Sequence, residues 1–207
     1  LSWIFHPVFM PLIGVILILN SVIYASEIPM EFKRFIYAMV MLCSTVLPLT
    51  LFPALYLFKS LGKFTVSERQ ERIIPLLFTS ICFLMGYFMM TRYSPVQLIN
   101  LFLLSCAITA LGALLVSLFW KICLHMAGIG GLIAMILVLS MTYTADMTLL
   151  FSVALLAAGI IASTRLALQA HSIYQVVAGF LLGFFLVSGT MFDYIRKGIM
   201  ELVNKLL

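Results

Sequence analysis

Charge is what this chain has least of. Asp, Glu, Lys and Arg make up 9% of its 207 residues, against 64% hydrophobic, whereas a soluble domain is typically about 25% charged. A water-soluble globular fold is therefore excluded. Strict apolar–polar alternation is missing as well, which removes a membrane β-barrel. Cysteine is sparse: Cys43, Cys82, Cys106 and Cys123 all lie in apolar stretches, without CxxC or metal-ligand spacing. They are expected to be packing residues, with no disulfide and no metal. No internal repeat divides the chain, so a single integral membrane domain over residues 1–207 is expected.

What is present is a series of long apolar runs. Crossing a ~30 Å hydrocarbon core takes about 20 apolar residues, and in lipid the backbone must close its hydrogen bonds within helices. Residues 4–24, 35–58, 73–90, 98–119, 122–140, 148–168 and 172–194 meet that requirement. They predict an all-α, polytopic bundle of six to seven transmembrane helices with antiparallel neighbours. Residues 3–24 have the length of a span and no small-residue cleavage site, so they read as a membrane helix and not a signal peptide. His6-Pro7 with Pro11 shapes the entry to that helix. Pro48 and Pro53 are expected to kink the second. Gly128 with Gly131, and Gly179 with Gly183, mark close helix approach. Residues 196–207 read as a short amphipathic tail on the membrane surface.

The few polar residues are not scattered. Charge near a membrane is costly and seldom kept without use. The most charged segment is the loop Lys59 to Pro75, with Lys63, Arg69 and Arg72. Two spans separate it from Lys121 and His125, and two more separate those from Thr164, Arg165 and His171, so parity puts all three sites on one face. Net charge is +5, which favours anionic headgroups or a phosphorylated substrate over nucleic acid. Arg165 offers a planar fork of donors for phosphate oxygens. His171 and Gln175 are i, i+4 on one helical face. The Gln175 carbonyl can accept a hydrogen bond from one ring N–H and leave the other nitrogen unprotonated and nucleophilic. Plainer roles stand beside these: interfacial snorkelling by Arg165, a core hydrogen bond for His171, packing of His125 on Gly128 and Gly131, and a solvated, ion-paired loop.

The stretch Thr164-Arg165-x5-His171-x3-Gln175-Val-x-x-Gly179 resembles the third signature of the type-2 phosphatidic acid phosphatase (PAP2) superfamily, Ser-Arg-x5-His-x3-Asp. The arginine and histidine are kept, while Thr164 and Gln175 stand at the outer positions. Of the second motif, Pro/Ser-Ser-Gly-His, His125 is kept, and Lys121 lies nearby. The first motif, Lys-x6-Arg-Pro, is echoed by Lys63, Arg69 and Arg72 before Pro75. The similarity covers roughly residues 63–190. It implies a PAP2-like bundle that removes phosphate from a lipid phosphate or diphosphate of the undecaprenyl diphosphate, phosphatidic acid or phosphatidylglycerol phosphate type, without metal or other cofactor. His171 would form a phosphohistidine, oriented by Gln175, and His125 would protonate the leaving oxygen. Arg165, Arg72, Lys121, Lys63, Arg69 and Thr164 would bind the substrate. Because Gln175 replaces an aspartate, two other readings stay open: a non-catalytic lipid-phosphate binding or assembly subunit, and a small transporter.

Six basic residues fall on each face: Lys59, Lys63, Arg69, Arg72, Lys121 and Arg165 against Lys33, Arg34, Arg92, Arg196, Lys197 and Lys205. Reserving Arg72, Lys121 and Arg165 for chemistry tips the positive-inside balance. The far face then lies in the cytoplasm and the site faces outward, as expected for a multi-pass protein of a bacterial inner membrane.

Overall fold

The computed structural model describes residues 6–21, 28–51, 72–94, 96–143 and 146–206. Among them all regular structure is helical. A 3-10 turn, Pro7–Phe9, leads into α1 (Met10–Asn20); then follow α2 (Met30–Leu51), α3 (Ile73–Tyr93), α4 (Gln97–Phe119), α5 (Leu124–Tyr143), α6 (Thr148–Ala167) and α7 (Ile173–Leu206). Helices α2 to α7 each contain a stretch long and apolar enough to cross a membrane. The chain is an all-α, multi-pass helical membrane bundle.

The first expected span is the one that differs. Its apolar helix covers Pro7–Asn20, about 20 Å at 1.5 Å per residue, short of a full crossing. Polar side chains close it. Asn20 Nδ2 donates to the Ile16 carbonyl at 2.8 Å and to Tyr37 Oη at 2.9 Å, and Ser21 Oγ donates to the Ile18 carbonyl at 2.7 Å. The kink expected at Pro48 takes the form of a π-turn at Leu42–Val46, in which the Leu47 N–H reaches back to the Leu42 carbonyl. Proline cannot donate to the residue four before it, and the wider turn absorbs the lost bond. Pro53 lies outside the described residues. Residues 196–206, expected as a surface tail, continue α7 without a break.

Helix α5 is the axis of the bundle: 67% of its membrane window is buried, against 17% for α6. Its most extensive neighbour is α7, and glycine explains why. A Cβ built on Gly179 would collide with the Cys123 carbonyl oxygen, and one on Gly183 with that of Ala127. The four-residue step on α7 matches the four-residue step on α5, so the two backbones touch along a small-residue stripe. Gly131 packs on Val187 in the same seam, while Gly128 makes room for Met10 of α1.

A backbone oxygen cannot rotate away as a side chain can, so Gly183→Leu is expected to cost about 3 kcal/mol or more, the upper end of core overpacking. At Gly159 a Cβ meets nothing within 4 Å. Gly159→Ala should therefore be neutral or stabilising by up to about 1 kcal/mol, the helix-propensity difference. Thermal unfolding of the two variants in detergent checks both outcomes.

Candidate active site

Arg165 lies in the last turn of α6, the end of a helix at which the backbone dipole favours a cation. The chain then reverses. Gln169 N–H donates to the Leu166 carbonyl at 2.9 Å and Ala170 N–H to the Arg165 carbonyl at 3.2 Å, with Gln169 at φ 49°. This is a Schellman turn, with glutamine at the left-handed position that glycine normally fills, at a cost of roughly 1 kcal/mol. The five residues between Arg165 and His171 are that reversal, and it returns His171 to the cavity that Arg165 lines.

Helix α7 begins at once with a reciprocal cap. Gln175 N–H donates to Ser172 Oγ at 3.4 Å, and Ser172 N–H donates to Gln175 Oε1 at 3.3 Å. The Ser-x-x-Gln spacing is a capping box. The same Oε1 lies 2.9 Å from His171 Nδ1. A carbonyl oxygen only accepts, so His171 carries its proton on Nδ1 and a lone pair on Nε2. Two donors on one oxygen hold both the amide and the ring.

Three further groups meet this end of the bundle. His125, in the first turn of α5, has Nε2 2.6 Å from Arg165 Nη2. Guanidinium only donates, so His125 Nε2 accepts. Arg72, at the start of α3, donates from Nη1 to the Ile122 carbonyl at 3.1 Å, which ties α3 to the segment before α5. His6, just before α1, sets its ring edge-on to that of His125, with centroids 5.6 Å apart. Its Nδ1 accepts the Val8 N–H at 3.4 Å.

All five side chains line one cavity of about 450 Å³. Leu76, Phe83, Phe102, Ala110 and Ala113 make its apolar walls, interrupted by Thr79 and Thr109. Cationic side chains beside an apolar lining suit an amphiphilic anion. Burial holds His171 below its ordinary value, the Gln175 hydrogen bond opposes that, and the charges of Arg72, Lys121 and Arg165 lower it further. Burial, then Arg165, lowers His6 as well. Both rings are accordingly neutral at pH 7. Among the described residues, no group of three or more His, Cys, Asp or Glu side chains is placed to hold a metal ion.

The expected site residues thus divide. His171, His125, Arg165 and Arg72 share the cavity. Gln175 supports His171 from behind, as its spacing suggested. Lys121 is half-buried beside the cavity and acts on His171 through its charge. Thr164 faces the other way: its hydroxyl donates to the Ile160 carbonyl, and it lines a shallow outer groove with Leu155, Leu156 and Gly159. Lys63 and Arg69 lie outside the described residues. His6 is the member that sequence reasoning missed, having been read only as shaping a helix entry. Compared with known proteins, no family model, no curated protein and no solved structure matches this chain.

Proposed function

We propose that this protein is an integral membrane lipid phosphatase of PAP2 type, hydrolysing a lipid phosphate or diphosphate without metal through a phosphohistidine. One observation carries the reading: Arg72, His125, Arg165 and His171, from three separate parts of the chain, line a single cavity with an apolar interior. The phosphate would rest against Arg72 and Arg165, with the first methylenes of its chain between Leu76, Phe83 and Phe102. His171 Nε2 attacks the terminal phosphorus, and the bond to the leaving oxygen breaks, the lipid's own oxygen in a monophosphate and the bridging oxygen in a diphosphate. Gln175 accepts from Nδ1 throughout and keeps the ring in line. The guanidinium groups meet the charge on the phosphoryl oxygens, where phosphoryl transfer draws most of its catalysis. His125 supplies the proton to the departing oxygen. For this, Arg165 must first shift from His125 Nε2 to the phosphate, so that Nε2 takes up a proton as substrate binds. Water then attacks the phosphohistidine and releases phosphate.

The substrates that fit are undecaprenyl diphosphate, phosphatidic acid and phosphatidylglycerol phosphate types. With three cations reserved for the site, the charge balance puts the far face in the cytoplasm and the cavity on the outer side of a bacterial inner membrane. Quenching into alkaline detergent during turnover of a radiophosphate-labelled lipid phosphate tests the mechanism. A base-stable, acid-labile label on the wild type that is absent from His171→Ala supports it. Lipid phosphate bound with no label and no release would instead make the protein a binding subunit.

The pH dependence follows from the sign of the shift. The nucleophile must be neutral, and His171 is held below its ordinary value near 6.5. Activity should therefore persist as pH falls through 6.5 and be lost only below that, on the acid limb of kcat/KM. Lys121→Gln removes one of the charges that disfavour the imidazolium, so that limb should move to higher pH.

A further inference from the structure

The three histidines at the cavity are each fixed in one tautomer by a different partner. His171 has its proton on Nδ1, facing Gln175, and a lone pair on Nε2. His125 presents Nε2 as an acceptor to Arg165. His6 is the reverse of His171: its Nδ1 accepts the Val8 N–H, which puts the proton of the neutral ring on Nε2. Of the three, His6 is the ring whose Nε2 carries a hydrogen. It lines the same cavity as both arginines and packs edge-on against His125.

We infer that His6 is a phosphate-binding residue, donating from Nε2–H to an oxygen of the phosphoryl group held by Arg72 and Arg165. The inference rests on the phosphatase reading for the identity of the ligand, and it adds a group from the N-terminal segment to the chemistry. A neutral imidazole suits this place. Two guanidinium groups already supply charge, and a third cation would be repelled by Arg165, whereas a neutral N–H adds a directed hydrogen bond without that cost. Neutral histidine acting as an electrophile is an established device. The arrangement also makes closure of the site depend on docking of the short α1, because Pro7, next to His6 in the chain, and Met10 both pack on Gly128 of α5.

His6 has a structural duty as well, capping the Pro7–Phe9 turn, so the test must separate the two. An asparagine carboxamide reaches the position of Nδ1 and keeps the cap; a glutamine carboxamide reaches the position of Nε2 and keeps the donor. The full-length protein in detergent is assayed as wild type, His6→Asn and His6→Gln for hydrolysis of undecaprenyl diphosphate, phosphatidic acid and phosphatidylglycerol phosphate, for thermal unfolding and for protection from unfolding by inorganic phosphate. His6→Asn is expected to unfold like wild type yet lose about 10²- to 10³-fold in kcat, the loss typical of one oxyanion donor. It should also need more phosphate for the same protection, while His6→Gln recovers part of both. Wild-type turnover and phosphate protection in His6→Asn, with loss in His6→Gln, would leave His6 a cap only and the phosphatase reading intact. An inert wild type whose phosphate protection still depends on the residue 6 donor would overturn the phosphatase reading and keep the binding role. An inert wild type with protection indifferent to residue 6 would overturn both.

Discussion

His171→Ala is expected to lower phosphate release by about 10⁴-fold or more, as loss of a nucleophile does in other covalent mechanisms. The physical reason is specific to one atom. Nε2 of this ring carries the lone pair facing the cavity, because Nδ1 is committed to Gln175 Oε1. The arginines cannot substitute for it, since a guanidinium has no accessible lone pair. The loss should fall on kcat, leaving KM within a few-fold, because Arg72 and Arg165 still meet the phosphate. Folding should be spared. Gln175 Oε1 keeps its bond from Ser172 N–H, so the cap of α7 survives, and the melting temperature of the variant in detergent should stay close to that of wild type. Steady-state kinetics beside that melting curve separates lost chemistry from lost structure.

Gln175→Glu is expected to raise kcat, on the order of 10²-fold, against a ceiling of about 10⁴-fold set by the converse Asp→Asn change in a serine-protease triad. Glutamate has the length of glutamine, so its carboxylate can accept both the His171 Nδ1–H and the Ser172 N–H and keep the capping box. What changes is charge. A carboxylate stabilises the imidazolium character that develops as Nε2 attacks and raises the basicity of the ring. The sign on pH follows: the His171 pKa rises, and the acid limb of the rate profile moves to higher pH together with the gain in rate. A rate gain without that movement would mean that Gln175 acts elsewhere than on His171. Ser172→Ala keeps the backbone N–H of residue 172 on Oε1 but removes the Oγ that accepts the Gln175 N–H. Losing that half of the capping box should loosen the start of α7 and with it the ring, lowering kcat by roughly tenfold at unchanged pH dependence.

The bundle was legible because hydropathy reports membrane crossing directly, and from Ile73 to Ala167 the expected spans and the helices agree within three residues. The first span was overestimated because a hydropathy window averages over Asn20 and Ser21, whose side chains turn back onto the helix and end it. Helix parity was the most informative device for the site. It puts Arg72, His125, Arg165 and His171 on one face without any knowledge of packing, and the 2.6 Å contact between Arg165 and His125 bears it out. Parity resolves a face, however, not a direction around a helix. Thr164 adjoins Arg165 in sequence, but neighbours on an α-helix point about 100° apart, so Thr164 looks outward while Arg165 looks in. Gln175 was legible in part: its reach to His171 followed from i, i+4 spacing, while its second bond, to Ser172 N–H, belongs to a capping box readable in Ser172-x-x-Gln175. His6 was missed because a histidine before a proline reads as helix punctuation, and here it is both a cap and a wall of the cavity.

The central claim, that this cavity cleaves lipid phosphate through His171, is tested most directly by phosphate release in chelator-treated buffer. The purified protein would be offered undecaprenyl diphosphate, phosphatidic acid and phosphatidylglycerol phosphate, with His171→Ala and Gln175→Glu alongside. Release from at least one substrate by wild type, faster release by Gln175→Glu and loss in His171→Ala are the predicted results. No release from any of the three by either wild type or Gln175→Glu, or release that His171→Ala leaves unchanged, would contradict it.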